Sequence, residues 1–419
     1  MIKIYFTSAP FQTPKTGDCD YMIKYSNIIN KFGIQSEIID YSIFGNDYLK
    51  LQNKYLNLIK YIHNKKIYLK NYNNLKNDPF RISIIDYLIK LISSDKNKHK
   101  VLAIQYRLPD SGSLFFPDDL LKFKKNGIII SITCHEFYLN ILRKYLKYST
   151  VKILNNSNLN FFFNKIDYLD AKKFGFDGKH KYTKQVVTVN LPIVKNSTIE
   201  IMKRPNNILF FGLIRPKKGI DSALNLALHI YKNPHQNIGK VIIVGKCDKN
   251  NPLISCWLNR IKSVLTDDNF NVLDKYKHVL EIHVNIDNTQ LSNIINKCKY
   301  AYKPDGKGFA NNSSSIINLL NFGCITYTKW GPYTPNFITN SNSKYKYSVR
   351  LQDKLNKNIL SNNKPSPIHV YNSIINSTDN DNIKSIISAK NLIDNKYNNY
   401  DIISKYCKNI LIYIRQYNY

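Results

Sequence analysis

Residues 210–221 read FFGLIRPKKGID, and they indicate the fold of the second half of the chain. An apolar run, a glycine, three cations and an amphipathic run follow one another in that order. This order is typical of the first strand, loop and helix of a doubly wound α/β domain, which binds ligands at the carboxyl ends of its strands. Arg215 and Lys218 are predicted to lie at that edge, where an Arg fork and a Lys ammonium suit a diphosphate. Lys217 is interpreted as a solvated loop residue.

The pattern on both sides of this stretch alternates between strand and helix. Strict alternation predicts a parallel sheet with helices on both faces. The predicted elements are, in order, strand 207–213, helix 220–232, strand 239–247, helix 257–265, strand 278–286, helix 288–298, strand 299–303, helix 313–322 and strand 324–328.

The first half of the chain predicts a similar domain. IKIYFTSA (2–9), a helix at 21–32 and SEIIDYSIF (36–44) form a strand–loop–helix–strand opening. Residues 47–100 predict one or two amphipathic surface helices, interpreted as an insertion. Three further strands are predicted at 101–106, 127–137 and 186–194.

The polar stretch 195–206 is interpreted as a linker, which gives a first domain at 1–197 and a second at 198–379. Residues 380–419 predict C-terminal helices that pack back toward the first domain. The fold class is therefore predicted to be α/β, with two Rossmann-like doubly wound domains facing each other across a crevice.

Composition limits the class of protein. The chain has 419 residues, of which 43% are hydrophobic, and no run approaches the roughly 20 apolar residues of a membrane-spanning helix. No signal peptide is recognised after Met1, and the seven cysteines contain no CxxC pair. A reducing cytoplasm is expected, without a structural zinc site.

The formal net charge of +32 would attract polyanions such as nucleic acid, an anionic membrane or a phosphorylated substrate. The cations are spread along the chain, however, and the abundance of Lys, Asn, Ile and Tyr also follows from an AT-rich coding sequence. Both explanations stay open.

The second half resembles the donor domain of GT-B glycosyltransferases of the large retaining GT4 type. The resemblance rests on GLIRPKKG (212–219), on VIIVGKC (241–247), on IHVNIDNTQLSNIINKCKYAYKPDG (282–306) and on PDGKGFANNSSSIINLLNFGCITYTKWGPYTP (304–335). SAPFQTPKTGDCDY (8–21), AIQY (103–106) and TCHEF (133–137) resemble the first domain of that family more weakly. The resemblance implies a nucleotide-diphosphate sugar as co-substrate and transfer with retention at the anomeric carbon.

The resemblance implies a donor site in the second domain. Arg215 and Lys218 match the family's cation pair on the diphosphate, and Gly212 permits close approach of the backbone. Val284 lies in the segment that contacts the base. Asp305 and Gly306 form the loop before a helix whose amino end, with Ser313, Ser314 and Ser315, would bind the leaving diphosphate.

The first domain supplies the remaining candidates. His135 follows a strand and is predicted to contact the donor sugar or the reacting centre. Glu136 is predicted to support its loop or to face the acceptor. Thr16, Gly17 and Asp18 form a loop expected to close over the diphosphate, with Thr16 and Asp18 toward the acceptor.

One departure from the family concerns the sugar. Many GT4 enzymes have two glutamates eight residues apart around the donor sugar, but the four glutamates here are Glu37, Glu136, Glu200 and Glu281, all outside that region. Asp305 is the nearest acid. The missing pair leaves the donor sugar open and keeps an inactive scaffold as an alternative.

No metal and no cofactor are expected, because GT-B enzymes stabilise the leaving diphosphate with cations and a helix end. The Asp118–Asp119 and Asp267–Asp268 pairs are interpreted as helix caps or turns. The leading hypothesis is a metal-independent, retaining hexosyltransferase or related enzyme of bacterial surface polysaccharide synthesis, cytoplasmic or peripheral on the inner face of the membrane. Its partners would be a nucleotide sugar and a glycan or lipid-linked acceptor. The alternatives are an inactive GT-B scaffold that partners an active transferase and, as a minor one, a basic nucleic-acid-binding protein.

Overall fold

The structure is a computed structural model, and it divides into two compact units, Met1–Asn190 with Asn399–Tyr419, and Leu191–Asn398. It describes residues 1–8, 17–61, 64–107, 114–135, 144–162, 165–178, 183–184, 196–212, 214, 219–247, 265, 271–304, 314–328, 349–351, 366–396 and 399–417. Among these residues, no helix has the length and apolar character needed to cross a membrane.

The first unit is built on a six-stranded parallel sheet in the order β2-β1-β3-β4-β5-β6. Its strands are β1 Ile2–Ser8, β2 Gln35–Ile38, β3 His99–Arg107, β4 Ile128–His135, β5 Leu159–Phe162 and β6 Thr183–Lys184. Its described helices are α1 Gly17–Lys31, α2 Gly45–Lys60, α3 Lys65–Lys76, α4 Pro79–Ser93, α5 Pro117–Lys125, α6 Lys144–Asn156 and α7 Lys165–Lys173, with a C-terminal helix given below.

Both faces of this sheet are covered by apolar side chains. The first face packs against α2 to α6, and the second packs against α1. Strands that are buried on both faces have near-continuous apolar runs, as VLAIQY in β3 does.

The segment 47–100 differs from the sequence prediction. Instead of one or two surface helices, it contains most of α2, then α3 and α4. Ile84, Ile85, Leu88 and Ile92 of α4 are fully buried against the sheet. The segment is therefore part of the core, because α4 carries more apolar residues than an amphipathic surface helix needs.

Two predicted boundaries are also corrected. The second strand ends at Ile38, and a 3-10 helix occupies Ser42–Phe44, where the sequence predicted a continuous strand. Helix α1 begins at Gly17, so Gly17 and Asp18 are helical and not part of the predicted loop. The acidic residues Asp18 and Asp20 favour a helix start here, since negative charge is stabilising in the first turn.

A buried ion pair joins α3, α4 and α5. The Arg81 guanidinium donates to Asp119 at 2.6 Å, to the Leu114 carbonyl at 3.0 Å, and to the carbonyls of Leu75 and Lys76 at 3.1 and 2.8 Å. Asp119 also accepts the Phe116 N–H at 2.8 Å, which is the predicted capping role. The carboxylate thus caps α5 and neutralises Arg81 at the same time.

The second unit is built on another six-stranded parallel sheet, in the order β12-β11-β10-β7-β8-β9. Its strands are β7 Ile208–Phe211, β8 Val241–Gly245, β9 Leu280–Val284, β10 Tyr300–Lys303, β11 Ile325–Thr328 and β12 Val349–Leu351. Its described helices are α8 Thr198–Met202, α9 Ile220–Lys232, α10 Asn288–Asn296, α11 Ser314–Asn321, α12 Pro367–Ile375 and α13 Asp379–Lys396. The two faces pack against α9 with α12 and against α10 with α11.

The polar stretch predicted as a linker contains α8. Ser197 accepts the Glu200 N–H at 3.1 Å, and Glu200 accepts the Ser197 N–H at 2.5 Å. This capping box lets five residues form a helix. Ile201 anchors it in the core, so close to Gly323 that a Cβ there would lie 2.3 Å from the Ile201 Cδ1.

The C-terminal region contains two helices, as predicted, but the structure assigns them to different units. Helix α13 belongs to the second unit and packs against α8 and α11. The last helix, α14 Asn399–Tyr417, belongs to the first unit, where Tyr406 contacts Tyr25 and Phe161. Two parallel sheets with helices on both faces confirm the predicted α/β class with two doubly wound domains.

Candidate functional site

The second sheet has a topological switch point between β7 and β10. From β7 the chain proceeds outward through β8 and β9, then returns to the other side of β7 with β10 and continues to β11 and β12. The connections on the two sides diverge at this point, so the carboxyl ends of β7 and β10 border a crevice suited to a ligand. Gly212, the first predicted site residue, lies directly after β7.

A buried lysine ends β10 at the same place. Lys303 is 2% exposed, and its Nζ lies 4.9 Å from the centroid of the Phe210 ring. The side chain reaches across to the end of β7, where a Cβ on Gly212 would lie 2.6 Å from the Nζ. Gly212 itself is half-buried. The glycine therefore provides the space that the ammonium group occupies.

Helix α9 begins beside this lysine. Gly219, its N-cap, has φ of +83°, and a Cβ at this position would lie 2.7 Å from the Pro304 Cγ. A glycine is needed here both for the left-handed backbone and for the close packing on Pro304. The buried Tyr302 hydroxyl interacts with Ser222 in the first turn of α9, and burial raises the pKa of Tyr302. These contacts hold the start of α9 against the end of β10.

The ends of β7 and β8 are in close backbone contact. A Cβ on Gly245 would lie 1.9 Å from the Gly212 carbonyl oxygen. The Gly212 N–H donates to the Val244 carbonyl at 3.1 Å, and the Ile214 N–H donates to the Lys246 carbonyl at 2.9 Å. The ladder thus continues past Gly212, which fixes the backbone on which the candidate site is built.

Asn285 joins the ends of β8 and β9. It has φ of +58°, the only positive φ of a non-glycine residue in the described part of the chain. Its side-chain amide accepts the Cys247 N–H at 2.8 Å and donates to the Cys247 carbonyl at 3.0 Å. The side chain thus makes two hydrogen bonds to the Cys247 backbone, as the backbone of a neighbouring strand residue would. It positions the segment after β8 beside Val284, the predicted base-contacting residue.

Helix α11 follows the loop after β10, with Ser314 as its first residue and the half-buried Ser315 as its second. Thr328, at the end of β11, donates to the Lys303 carbonyl at 3.0 Å. Gly212, Val284, Ser314 and Ser315 therefore belong to one edge of the second unit.

The first unit carries a corresponding row of polar residues at the carboxyl ends of its central strands. Ser8, Gln105 and Thr133 are paired in register across β1, β3 and β4, and all three are buried. His135 is the last residue of β4 and pairs in register with Arg107. Gly17 and Asp18 open the helix that follows β1.

Several predicted site residues lie outside the described residues. These are Thr16, Glu136, Arg215, Lys218, Asp305, Gly306 and Ser313. The structure therefore brings Gly212, Val284, Ser314 and Ser315 to one sheet edge, and it places Gly17, Asp18 and His135 in the other unit.

The sequence analysis missed Lys303, Asn285 and Gly245. The signal for Lys303 was a charged residue closing the buried strand YAYK. The signal for Asn285 was an asparagine directly after a strand, since asparagine tolerates a left-handed backbone better than most residues do.

The model of one protein family matches part of the chain by sequence. The family is described as Dot/Icm T4SS effector Ceg32/SidI, and the match covers residues 45–173, which is less than a third of the chain. A comparison with curated proteins finds no matching sequence.

Solved structures match over nearly the whole chain. TarM from S. aureus, in complex with fondaparinux, α-GlcNAc-glycerol and UDP, has a TM-score of 0.59 at 13% identity and covers 98% of this chain and 99% of its own. Trehalose-6-phosphate synthase from Burkholderia multivorans has a TM-score of 0.62 at 8% identity, with coverage of 99% and 96%. A structure titled trehalose-6-phosphate from E. coli, bound with UDP-2-fluoro glucose, has a TM-score of 0.57 at 11% identity, with coverage of 97% and 98%. The similarity shows that the chain has the GT-B fold.

Proposed function

We propose that this GT-B chain is a glycosyltransferase that moves a sugar from a nucleotide-diphosphate sugar to a glycan or lipid-linked acceptor. The observation that carries the proposal is the switch point between β7 and β10, where a glycine, a buried cation and a helix start meet at one sheet edge. Two of the similar structures contain UDP or a UDP-sugar analogue, which supports a nucleotide-diphosphate donor.

The second unit binds the donor in this proposal. Arg215 and Lys218 neutralise charge that develops on the leaving diphosphate, and the amino end of α11 with Ser313 to Ser315 donates hydrogen bonds to it. The segment around Val284 contacts the base, and the loop at Asp305 and Gly306 borders the sugar. These groups replace a metal ion, and the GT4 resemblance supports retention at the anomeric carbon.

The first unit contributes the acceptor side. His135 contacts the sugar or the reacting centre from the end of β4, and Glu136 follows it toward the acceptor. Gly17, the first residue of α1, is proposed as a donor-binding residue, with Thr16 and Asp18 assigned to the acceptor side. The setting proposed for this reaction is the cytoplasm, in the synthesis of a bacterial surface polysaccharide.

The family match favours a second setting for the same chemistry. Residues 45–173 resemble a family described as type IV secretion effectors. A transferase delivered by such a system would act on an acceptor in the recipient cell. A translocation reporter fused to the full chain tests this setting: secretion-dependent signal in recipient cells supports it, and signal equal to that of a secretion-deficient strain contradicts it.

A peripheral contact with an anionic membrane is proposed for the segment 47–75. In α3 the exposed side chains include Lys65, Lys66 and Lys70 beside Ile67 and Leu69, and the first turn has no acidic residue. Exposed apolar groups between cations suit the interface of an anionic bilayer. Sedimentation with vesicles of phosphatidylserine and phosphatidylcholine should fall with added salt; binding that salt leaves unchanged contradicts the proposal.

The donor site is tested by thermal stability against a panel of nucleoside diphosphates and nucleotide sugars. A ligand at about 100 times its Kd stabilises the folded state by about 2.7 kcal/mol, which is roughly 5–10 °C for a unit of this size. The shift should appear for one base, be lost in Arg215→Ala and persist in Lys217→Ala, the matched control in the same loop.

The rival functions give other results. An inactive scaffold predicts no shift with any nucleotide, or binding without turnover. A nucleic-acid-binding protein predicts no nucleotide shift together with an affinity for nucleic acid that falls steeply with salt.

A further inference from the structure

We propose that Lys303 binds the diphosphate of the nucleotide donor from the β10 side of the switch point. The inference deepens the proposed function and rests on it. It adds a cation from a second strand, since Arg215 and Lys218 come from the loop after β7 whereas Lys303 ends the neighbouring strand β10.

Burying this lysine costs hydration free energy. Lys303 is 2% exposed at the end of a strand whose other residues are tyrosines and alanine. A charged ammonium loses most of its hydration in such a place, and an apolar residue of similar length would pack there without that loss. The Phe210 ring at 4.9 Å recovers part of the loss through a cation–π contact. A cation held at this edge of the sheet suits an anionic ligand.

The second argument is the space left by Gly212. A Cβ at this position would lie 2.6 Å from the Lys303 Nζ, so a larger residue would displace the flexible end of the lysine side chain. Gly212 is half-buried and not fully enclosed. The ammonium therefore lies beside a backbone that is partly exposed.

The third argument is the position of this pair in the fold. Ligands of doubly wound sheets bind outside the carboxyl ends at the switch point, and the strands on the two sides of this point are β7 and β10. A diphosphate on the Gly212 backbone would come within hydrogen-bond range of the ammonium, about 2.7–2.9 Å for a charge-assisted contact. The low polarity around Phe210 strengthens that interaction relative to one in water.

A diphosphate contact has a signature that a structural role lacks. Lys303→Met should weaken binding of the nucleoside diphosphate about ten- to hundredfold, while the affinity for the nucleoside without phosphate stays within about twofold. Lys303→Arg keeps the charge and should retain most of the diphosphate affinity, whereas the neutral Lys303→Gln should not.

The experiment is isothermal titration of the full chain and its variants with the nucleoside diphosphate and the nucleoside of the base that the stability panel selects. Lys299→Met is the matched control, because Lys299 is also buried but precedes the other end of β10. It should leave both affinities unchanged. If Lys303→Met does not fold, the diphosphate affinities of Lys303→Gln and Lys303→Arg are compared to show whether the positive charge is needed.

Each outcome decides the inference. The inference is supported if the neutral variants lose affinity, Lys303→Arg keeps it, and the loss appears with the diphosphate but not with the nucleoside. Equal diphosphate affinity in wild type, Lys303→Met and Lys303→Gln overturns it and leaves the proposed function standing. An equal loss for diphosphate and nucleoside assigns Lys303 a structural role and also overturns it. Absence of nucleotide binding by the wild type overturns the proposed function, and this inference with it.

Discussion

Replacing Gly245 with alanine tests the backbone arrangement on which the candidate site is built. The new Cβ would lie 1.9 Å from the Gly212 carbonyl oxygen and 2.9 Å from the Ile214 Cγ1. The carbonyl belongs to a neighbouring strand end that is fixed by two hydrogen bonds, so it cannot turn away as a flexible side chain would. The ends of β7 and β8 must therefore separate.

The size of the effect follows from these contacts. Overpacking of a well-packed interior costs about 1–3 kcal/mol, and an overlap with backbone belongs at the upper end of that range. Weakening the bonds from Gly212 to Val244 and from Ile214 to Lys246 adds about 1 kcal/mol each. We expect Gly245→Ala to lower the free energy of unfolding of the second unit by about 3–5 kcal/mol, or its Tm by roughly 6–20 °C.

Calorimetry of the full chain measures the loss of unfolding free energy. Titration with the selected nucleoside diphosphate shows whether the displacement of Gly212 lowers the affinity of the site. Gly127→Ala is the control, because Gly127 has φ of +70° but no atom within 4 Å of an added Cβ. It should cost only the backbone strain, about 1–2 kcal/mol in the first unit. A Gly245→Ala variant with wild-type Tm and wild-type nucleotide affinity would contradict the close backbone contact between the ends of β7 and β8.

Three further predictions concern single contacts, each measured by urea unfolding. Arg81→Met should lower the free energy of unfolding by about 3–5 kcal/mol, because Asp119 is left buried without its cation. Adding Asp119→Asn should recover part of the loss. A loss under about 1 kcal/mol in Arg81→Met would contradict this. Asn285→Ala should be less stable than Asn285→Gly, since both lose the bonds to Cys247 but only alanine keeps the strain at φ of +58°; the reverse order would contradict it. Burial raises the pKa of Asp95, but hydrogen bonds from Tyr5 and other donors outweigh it and hold that pKa below its usual range. Its contribution should be full above the unfolded pKa of about 3.9 and be lost as the pH falls, so the difference in stability between wild type and Asp95→Asn should shrink below about pH 4; a constant difference would contradict the assignment.

The order of strands and helices could be read from the sequence because it depends on local patterns. Apolar runs such as VLAIQY and VIIVG, separated by amphipathic helices, predict buried parallel strands without any knowledge of their partners. The second unit followed this pattern through β7, α9, β8 and β10. The place of Gly212 after the first strand of that unit was predicted for the same reason.

The errors in the fold prediction have local causes as well. Helix α8 has only five residues, too short for periodicity to show, although its capping box at Ser197 and Glu200 was visible in the sequence. Helix α4 lies in the segment 47–100, which was predicted to form surface helices because of its high Lys, Asn and Tyr content. Its residues 84–92, IIDYLIKLI, are mostly apolar and would have indicated a buried helix.

The site could be predicted only in part, because its geometry depends on contacts between strands that are distant in sequence. Nothing near Lys303 in the sequence indicates that its ammonium lies against Gly212, which is 91 positions earlier. The clamp of Asn285 on Cys247 likewise spans two strands. Residue types at strand ends identify candidates, but the switch point that joins β7 to β10 comes from the sheet order.

Glycosyl transfer by this chain can be measured directly by following a panel of nucleotide sugars with proton NMR in the presence of the full chain. We expect one nucleotide sugar to be consumed, with release of its nucleoside diphosphate and retention at the anomeric carbon of the product. Arg215→Ala and Lys218→Ala should slow this reaction strongly, whereas Lys217→Ala should not. Nucleotide sugars that persist as long with the protein as without it, even in the presence of glycan and lipid-linked acceptors, would contradict the account.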